Sequence, residues 1–136
     1  MSRLSDVALT VAPLLAAVRD PRFGAELVFY GVTRNHHDGR PVLRLEYEAY
    51  PELAEPELAA LVTEAEGRWP CKVALVHRVG VVPQGEPSVI ICVAAAHRAE
   101  AYEASRWVID TLKERVPIWK REVYEDGASW RANASS

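Results

Sequence analysis

The chain has 136 residues and carries 16 Lys and Arg against 19 Asp and Glu, a formal net charge of −3. At 49% hydrophobic and 26% charged residues it has the balance of one globular domain that buries a real core. The mild acidity argues against a general nucleic-acid binder, and no apolar run approaches the roughly 20 residues that span a bilayer.

The first residues, MSRLSDVALTV, lack a basic-then-apolar signal design, so the expectation is a cytoplasmic protein. Cys71 and Cys92 have no C-x-x-C spacing and signal neither zinc nor a disulfide framework.

In chain order, residues 6–11 read as a short strand and 12–19 as a short helix stopped by Asp20-Pro21. Residues 25–34 are apolar, β-branched and aromatic, a strand in which Gly31 marks a bulge or a close approach. NHHDGR supplies a turn with Asp38-Gly39 at its tip, and VLRLEYEAY alternates, with Leu43, Leu45, Tyr47 and Ala49 on one face. Residues 25–50 therefore read as a hairpin.

Residues 55–68 have helical spacing, with Pro56 in the first turn. Residues 72–80 and 88–96 read as strands, the second as a central one. Residues 99–115 read as a helix with Tyr102, Ser105, Val108, Ile109, Leu112 and Val116 inside. IWKREVYE reads as a final strand, and DGASWRANASS as a turn and a frayed tail. Adjacent strands and hairpins make the class α+β with a mainly antiparallel sheet.

Residues 97–122 concentrate basic side chains in an acidic chain: Lys113, Arg115, Lys120 and Arg121 follow a His97-Arg98 pair at a helix start. A helix N-terminus and an arginine fork both suit phosphate. Pro117 folds the chain back after Lys113 and brings Lys120 towards it. Like charges lower a lysine's pKa and free its amine as nucleophile or base. The plain alternative is a solvated face. Arg34, at the end of the Gly31 strand, joins them as a candidate, while Phe29, five residues earlier, is open to a core reading. His36-His37-Asp38 has no metal-ligand spacing and reads as a polar turn, so no metal is expected.

The ordered set F-x-G with R-N-H, H-R-x-G with a later G-E, A-H-R, and D-x-L-K-x-R-x-P-I-W-K-R-E with G-x-x-W resembles the catalytic (large) subunit of molybdopterin synthase, the MoaE family. It runs from about residue 6 to Trp130. The resemblance implies one domain over residues 1–136 with the α/β hammerhead fold, residues 131–136 being a frayed tail. It implies a sulfurtransferase of molybdenum cofactor biosynthesis, without a cofactor of its own.

The implied partners are a ubiquitin-like sulfur-carrier small subunit ending in a Gly-Gly thiocarboxylate, and a second copy of the chain, giving a heterotetramer around a homodimer. The implied substrate is cyclic pyranopterin monophosphate. Neither nucleic acid nor membrane is expected as a partner. By motif, Lys113 and Lys120 match the catalytic lysines, and Arg34, His97, Arg98 and Phe29 the substrate pocket. Two departures stand out. The tail leaves only Arg131 to reach a neighbouring subunit, and His37 stands where Asn is more usual. A non-catalytic anion-binding or adaptor domain of the same fold is the competing reading.

Overall fold

The structure is a computed structural model that describes residues 1–125 and 127–132. Three helices and nine strands are present among them: β1 Ser2–Ser5, α1 Ala12–Val18, β2 Ala25–Val32, β3 His36–His37, β4 Arg40–Ala49, α2 Pro51–Arg68, β5 Cys71–Arg78, β6 Gly80–Pro83, β7 Pro87–Ala95, α3 Arg98–Arg115, β8 Ile118–Tyr124 and β9 Gly127–Ala132. They form two sheets. The first has the order β1-β5-β7-β2, parallel between β1 and β5 and otherwise antiparallel. The second has the order β3-β4-β8-β9, with β6 also paired to β4. The class is α+β, as expected, but with two sheets where one was expected.

The first sheet is covered on both faces, which is why β5 and β7 read as unbroken apolar runs. Ala74, Val76, Ile90, Cys92 and Ala94 face α1 through Leu14 and Val18. Val73, Leu75, Ile91, Val93 and Ala95 point the other way, into the core built by α2 and α3. On α3 the buried stripe is Ala101, Ala104, Ser105, Val108 and Leu112, a spacing of three and four residues. Small residues at its first turns set the helix close to the sheet. Tyr102, expected inside, is 61% exposed.

Several boundaries differ from the sequence reading. The N-terminal strand is Ser2–Ser5, not residues 6–11. Its edge pairs with β5, and the Ser5 hydroxyl then accepts the Val7 N–H at 3.3 Å and ends it. Helix α2 starts at Pro51, because the Tyr50 carbonyl accepts the N–H groups of Leu53 and Ala54 at 3.0 and 2.9 Å. Pro51 supplies the favoured first position, and Pro56 sits inside the helix. The expected tail is in part β9, paired antiparallel to β8; residues 133–136 lie outside the described residues.

The expected hairpin over 25–50 is replaced by a crossing between sheets. Strand β2 pairs with β7, and its register shifts at Gly31/Val32. Thr33 is then clamped to the β6–β7 turn, its N–H to the Glu86 carbonyl at 3.1 Å and its carbonyl to the Gly85 N–H at 2.9 Å. Only the two residues of β3 form the first arm of a hairpin with β4. Asp38 and Gly39 both have positive φ, 51° and 76°, the two-residue turn that the sequence promised. A second register shift at Val42/Arg44 buries Val42 and leaves Leu43 44% exposed, against the simple alternation. No helix among the described residues is long and apolar enough to cross a membrane.

Gly31 is required by a close approach. A Cβ there lies 2.6 Å from Cγ1 of Val89, its cross-strand partner and a stiff β-branched side chain. Gly31→Ala is expected to lower unfolding free energy by about 1–3 kcal/mol in urea melts. Adding Val89→Ala should make the glycine substitution cost much less than it does alone, since it removes the clash.

Candidate active site

A cavity of about 290 Å³, bordered by the C-terminal half of α3, is lined by strands of both sheets. Phe29, Gly31 and Val32 from β2 line one side, with Ser88 and Val89 from β7. Val42, Leu45 and Tyr47 from β4 line another. Ile109, Leu112 and Lys113 come from α3, Lys120 and Glu122 from β8, and Arg34, His36 and His37 from the β2–β4 connection. Lys113, Lys120, Arg34 and Phe29 are thus brought together from four separate segments.

Strand β8 turns Ile118, Lys120, Glu122 and Tyr124 inward and Trp119, Arg121 and Val123 outward. Lys120 and Glu122 are 3% and 2% exposed, and Lys120 Nζ lies 3.5 Å from Glu122 Oε1. The Tyr124 hydroxyl donates a hydrogen bond to Glu122 Oε2. Two charges inside a fold persist only when paired, so the floor of the cavity is a bound ion pair. Lys113 stands at the wall. Burial holds its pKa below the ordinary lysine range; the nearby Asp110 carboxylate opposes this, and the Arg34 guanidinium adds to the lowering. A larger fraction of its amine is therefore unprotonated, and nucleophilic, near neutrality than for a surface lysine.

His77 is fully buried at the back, edge-on to Tyr47 with ring centroids 4.9 Å apart. Its Nδ1–H donates to the Arg78 carbonyl at 2.8 Å. Burial lowers its pKa to about 4; the Arg78 carbonyl opposes this, and the Lys113 charge contributes to it. Burial first, and Glu122 with it, raise the pKa of Tyr47, against a hydrogen bond with Ser88.

The basic cluster read from the sequence separates into two kinds. Arg115 reaches α2, 2.7 Å from Glu64 and 3.4 Å from Glu57, and Arg121 lies 3.5 Å from Glu46 on the outer face of the second sheet. Both are tied to carboxylates outside the cavity. His97 and Arg98 do not join the cavity of their own chain. They are exposed at the N-terminus of α3, and 15 residues at about 1.5 Å each put Arg98 about 22 Å along the helix from Lys113. Within a single chain the cavity thus gathers four of the six expected residues, Lys113, Lys120, Arg34 and Phe29. The fold supplies Tyr47, His77, Ser88 and Glu122 besides.

Both cysteines are buried, which raises each thiol pKa to about 11 and disfavours a thiolate. Among the described residues no cluster of His, Cys, Asp and Glu has the makings of a metal site.

A sequence model of the MoaE protein family matches residues 4–115. The chain belongs to the MoaE family. It is similar to the human molybdopterin synthase catalytic subunit, 45% identical over 126 residues that cover 92% of this chain and 67% of that protein. The same-named protein of Thermoplasma volcanium is 49% identical over 119 residues, 86% of this chain and 87% of that one. Among solved structures, molybdopterin synthase from Staphylococcus aureus superposes with a TM-score of 0.91 at 35% identity, over 95% of each chain. For this MoaE-family chain the likeness thus extends over nearly all of the fold that builds the cavity.

His77 makes a pH-dependent contribution to stability. It binds a proton more readily unfolded, near pH 6.5, than folded, near pH 4. Stability is therefore complete above pH 6.5 and falls as pH drops towards 4. At about 1.4 kcal/mol per pH unit the loss is on the order of 3 kcal/mol. Urea melts at pH 7 and pH 4.5 should show this slope, and His77→Gln should flatten it whatever it does to stability at pH 7.

Proposed function

We propose that the chain is the catalytic subunit of a molybdopterin synthase, a sulfurtransferase of molybdenum cofactor biosynthesis. It moves sulfur from the C-terminal thiocarboxylate of a small ubiquitin-like carrier subunit to cyclic pyranopterin monophosphate, twice, to form the molybdopterin dithiolene. The observation that carries this is the meeting of Lys113 and Lys120, from a helix and a strand separated by the Pro117 bend, in one cavity with Arg34. A thiocarboxylate and a cyclic phosphate are both anions, and such a cavity suits both. A partly buried amine with a lowered pKa favours catalysis over an adaptor that only binds.

In this reading Lys113 is the amine nearest the carrier's terminal carbonyl and serves as base or transient nucleophile. Lys120, held by Glu122, orients substrate and stabilises the negative charge that develops as the carbonyl carbon becomes tetrahedral. Arg34 binds the substrate's anionic group, and Phe29 offers an aromatic wall to the pterin. His97 and Arg98 take part as substrate-binding residues only if a second copy brings the start of its α3 to this cavity. The role of these two residues therefore requires the homodimer. One carrier on each copy then makes the heterotetramer.

Purified chain, thiocarboxylated carrier and cyclic pyranopterin monophosphate test the proposal. Lys113→Ala should lower molybdopterin formation by about 100-fold or more, with folding and carrier binding retained. Full activity in both Lys113→Ala and Lys120→Ala would contradict the mechanism. The shared site has its own test. A chain carrying His97→Ala and Arg98→Ala and a chain carrying Lys113→Ala should each be inactive alone. Refolded together they should recover activity, because one mixed cavity is then complete. No recovery would remove His97 and Arg98 from the site.

A further inference from the structure

Arg34 follows a well-anchored stretch of backbone, because Thr33 is clamped through both its N–H and its carbonyl. Its side chain is different. It is exposed, and a free arginine loses considerable rotamer entropy when it settles over a ligand. The neighbour that limits this freedom is His37, a residue to which the proposed reaction gives no part.

His37 lines the same cavity. Its Nδ1 lies 3.1 Å from Arg34 Nη2, and its Nε2 lies 3.2 Å from Asp38 Oδ2. A guanidinium only donates, so Nδ1 is the acceptor of this hydrogen bond, which leaves the ring proton on Nε2, the side that faces Asp38. The backbone holds the ring in place, since His37 pairs with Arg40 across the tight turn of Asp38 and Gly39. Asp38 is bound into that turn at a positive φ, next to the ring.

We propose that His37 is a positioning residue, which through Nδ1 holds the Arg34 guanidinium over the cavity so that the anionic group of the substrate meets a donor already in place. This rests on the proposed function for the identity of the anion. Preorganisation of this kind lowers the ordering cost of binding and acts on the bound ground state and the transition state alike. It therefore belongs in KM and not in kcat.

The test is steady-state molybdopterin formation by the assembled complex with cyclic pyranopterin monophosphate varied. His37→Ala should raise KM roughly 10-fold, the effect of losing one hydrogen bond to a charged group, with kcat within about two-fold. His37→Asn should restore most of the affinity, because its Oδ1 stands where Nδ1 stood. His37→Gln, whose acceptor lies farther out, should not, and it serves in place of the alanine variant if that one fails to fold. In an Arg34→Ala background, His37→Ala should add little further to KM, since the two act as a unit.

An unchanged KM in His37→Ala and His37→Gln would overturn the role, as would effects of His37→Ala and Arg34→Ala that simply add. If the unaltered complex formed no molybdopterin, the proposed function itself would fail and this role with it. The two failures are thus told apart by the wild type.

Discussion

Strand β8 turns Lys120 and Glu122 into the protein, and the cavity depends on that. Removing a carboxylate and an ammonium from water costs several kcal/mol each unless they are paired and hydrogen-bonded. Glu122 meets the cost on both oxygens, one towards Lys120 and one from Tyr124. A dry apolar seam between the sheets is then impossible at this point. The core joins β7 and α3 through alanine and valine, and the cavity lies where β8 presents charge. Arg34, Lys113 and Phe29 gather around the space so left.

The cavity sets two amines to different tasks by environment alone. Lys120 has a carboxylate at its side and is pinned. Lys113, on the last turns of α3, is partly buried and near Arg34, and the Asp110 carboxylate favours its charged form. A pinned cation beside a readily deprotonated amine is a useful pair for acyl chemistry on an anion. In the proposed reaction one would hold charge as it develops, and the other would attack or take a proton. The outward charges of the same segment, Arg115 and Arg121, are spent on helix-to-helix and strand-to-strand ion pairs.

Much of this was legible in the sequence where local rules and global packing agree. The 3.6-residue period of α3, the apolar runs of β5 and β7, and the Asp38-Gly39 turn all survive in the structure. Gly31 marked both a bulge and a close approach. What local rules missed were the partners of strands. Nothing in residues 25–50 says that β2 pairs with β7 and β4 with β8, because a clamp at Thr33, made by a turn some fifty residues away, decides it. The parity of Leu43 was lost to a bulge for the same reason. Tyr102 fitted the helical stripe, but small residues beside it fit the sheet more closely.

The site followed the same division. The convergence of Lys113 and Lys120 on one cavity was expected from charge and the Pro117 bend, while Glu122 was overlooked. Its signal was present, since Lys120 and Glu122 are two apart on a strand between Ile118 and Tyr124, which places opposite charges on one inward face. His97 and Arg98 stand at the start of the helix that carries Lys113, but helix rise sets them too far away to share a cavity within one chain. The central claim is that the cavity makes Lys113 a working amine. Side-chain NMR titration of 15N,13C-labelled lysines, with Lys113→Arg to assign the resonance, measures it directly. The account predicts that Lys113 titrates below an exposed lysine and moves upward in Arg34→Ala. A Lys113 that titrates like the surface lysines, and ignores Arg34→Ala, would contradict it.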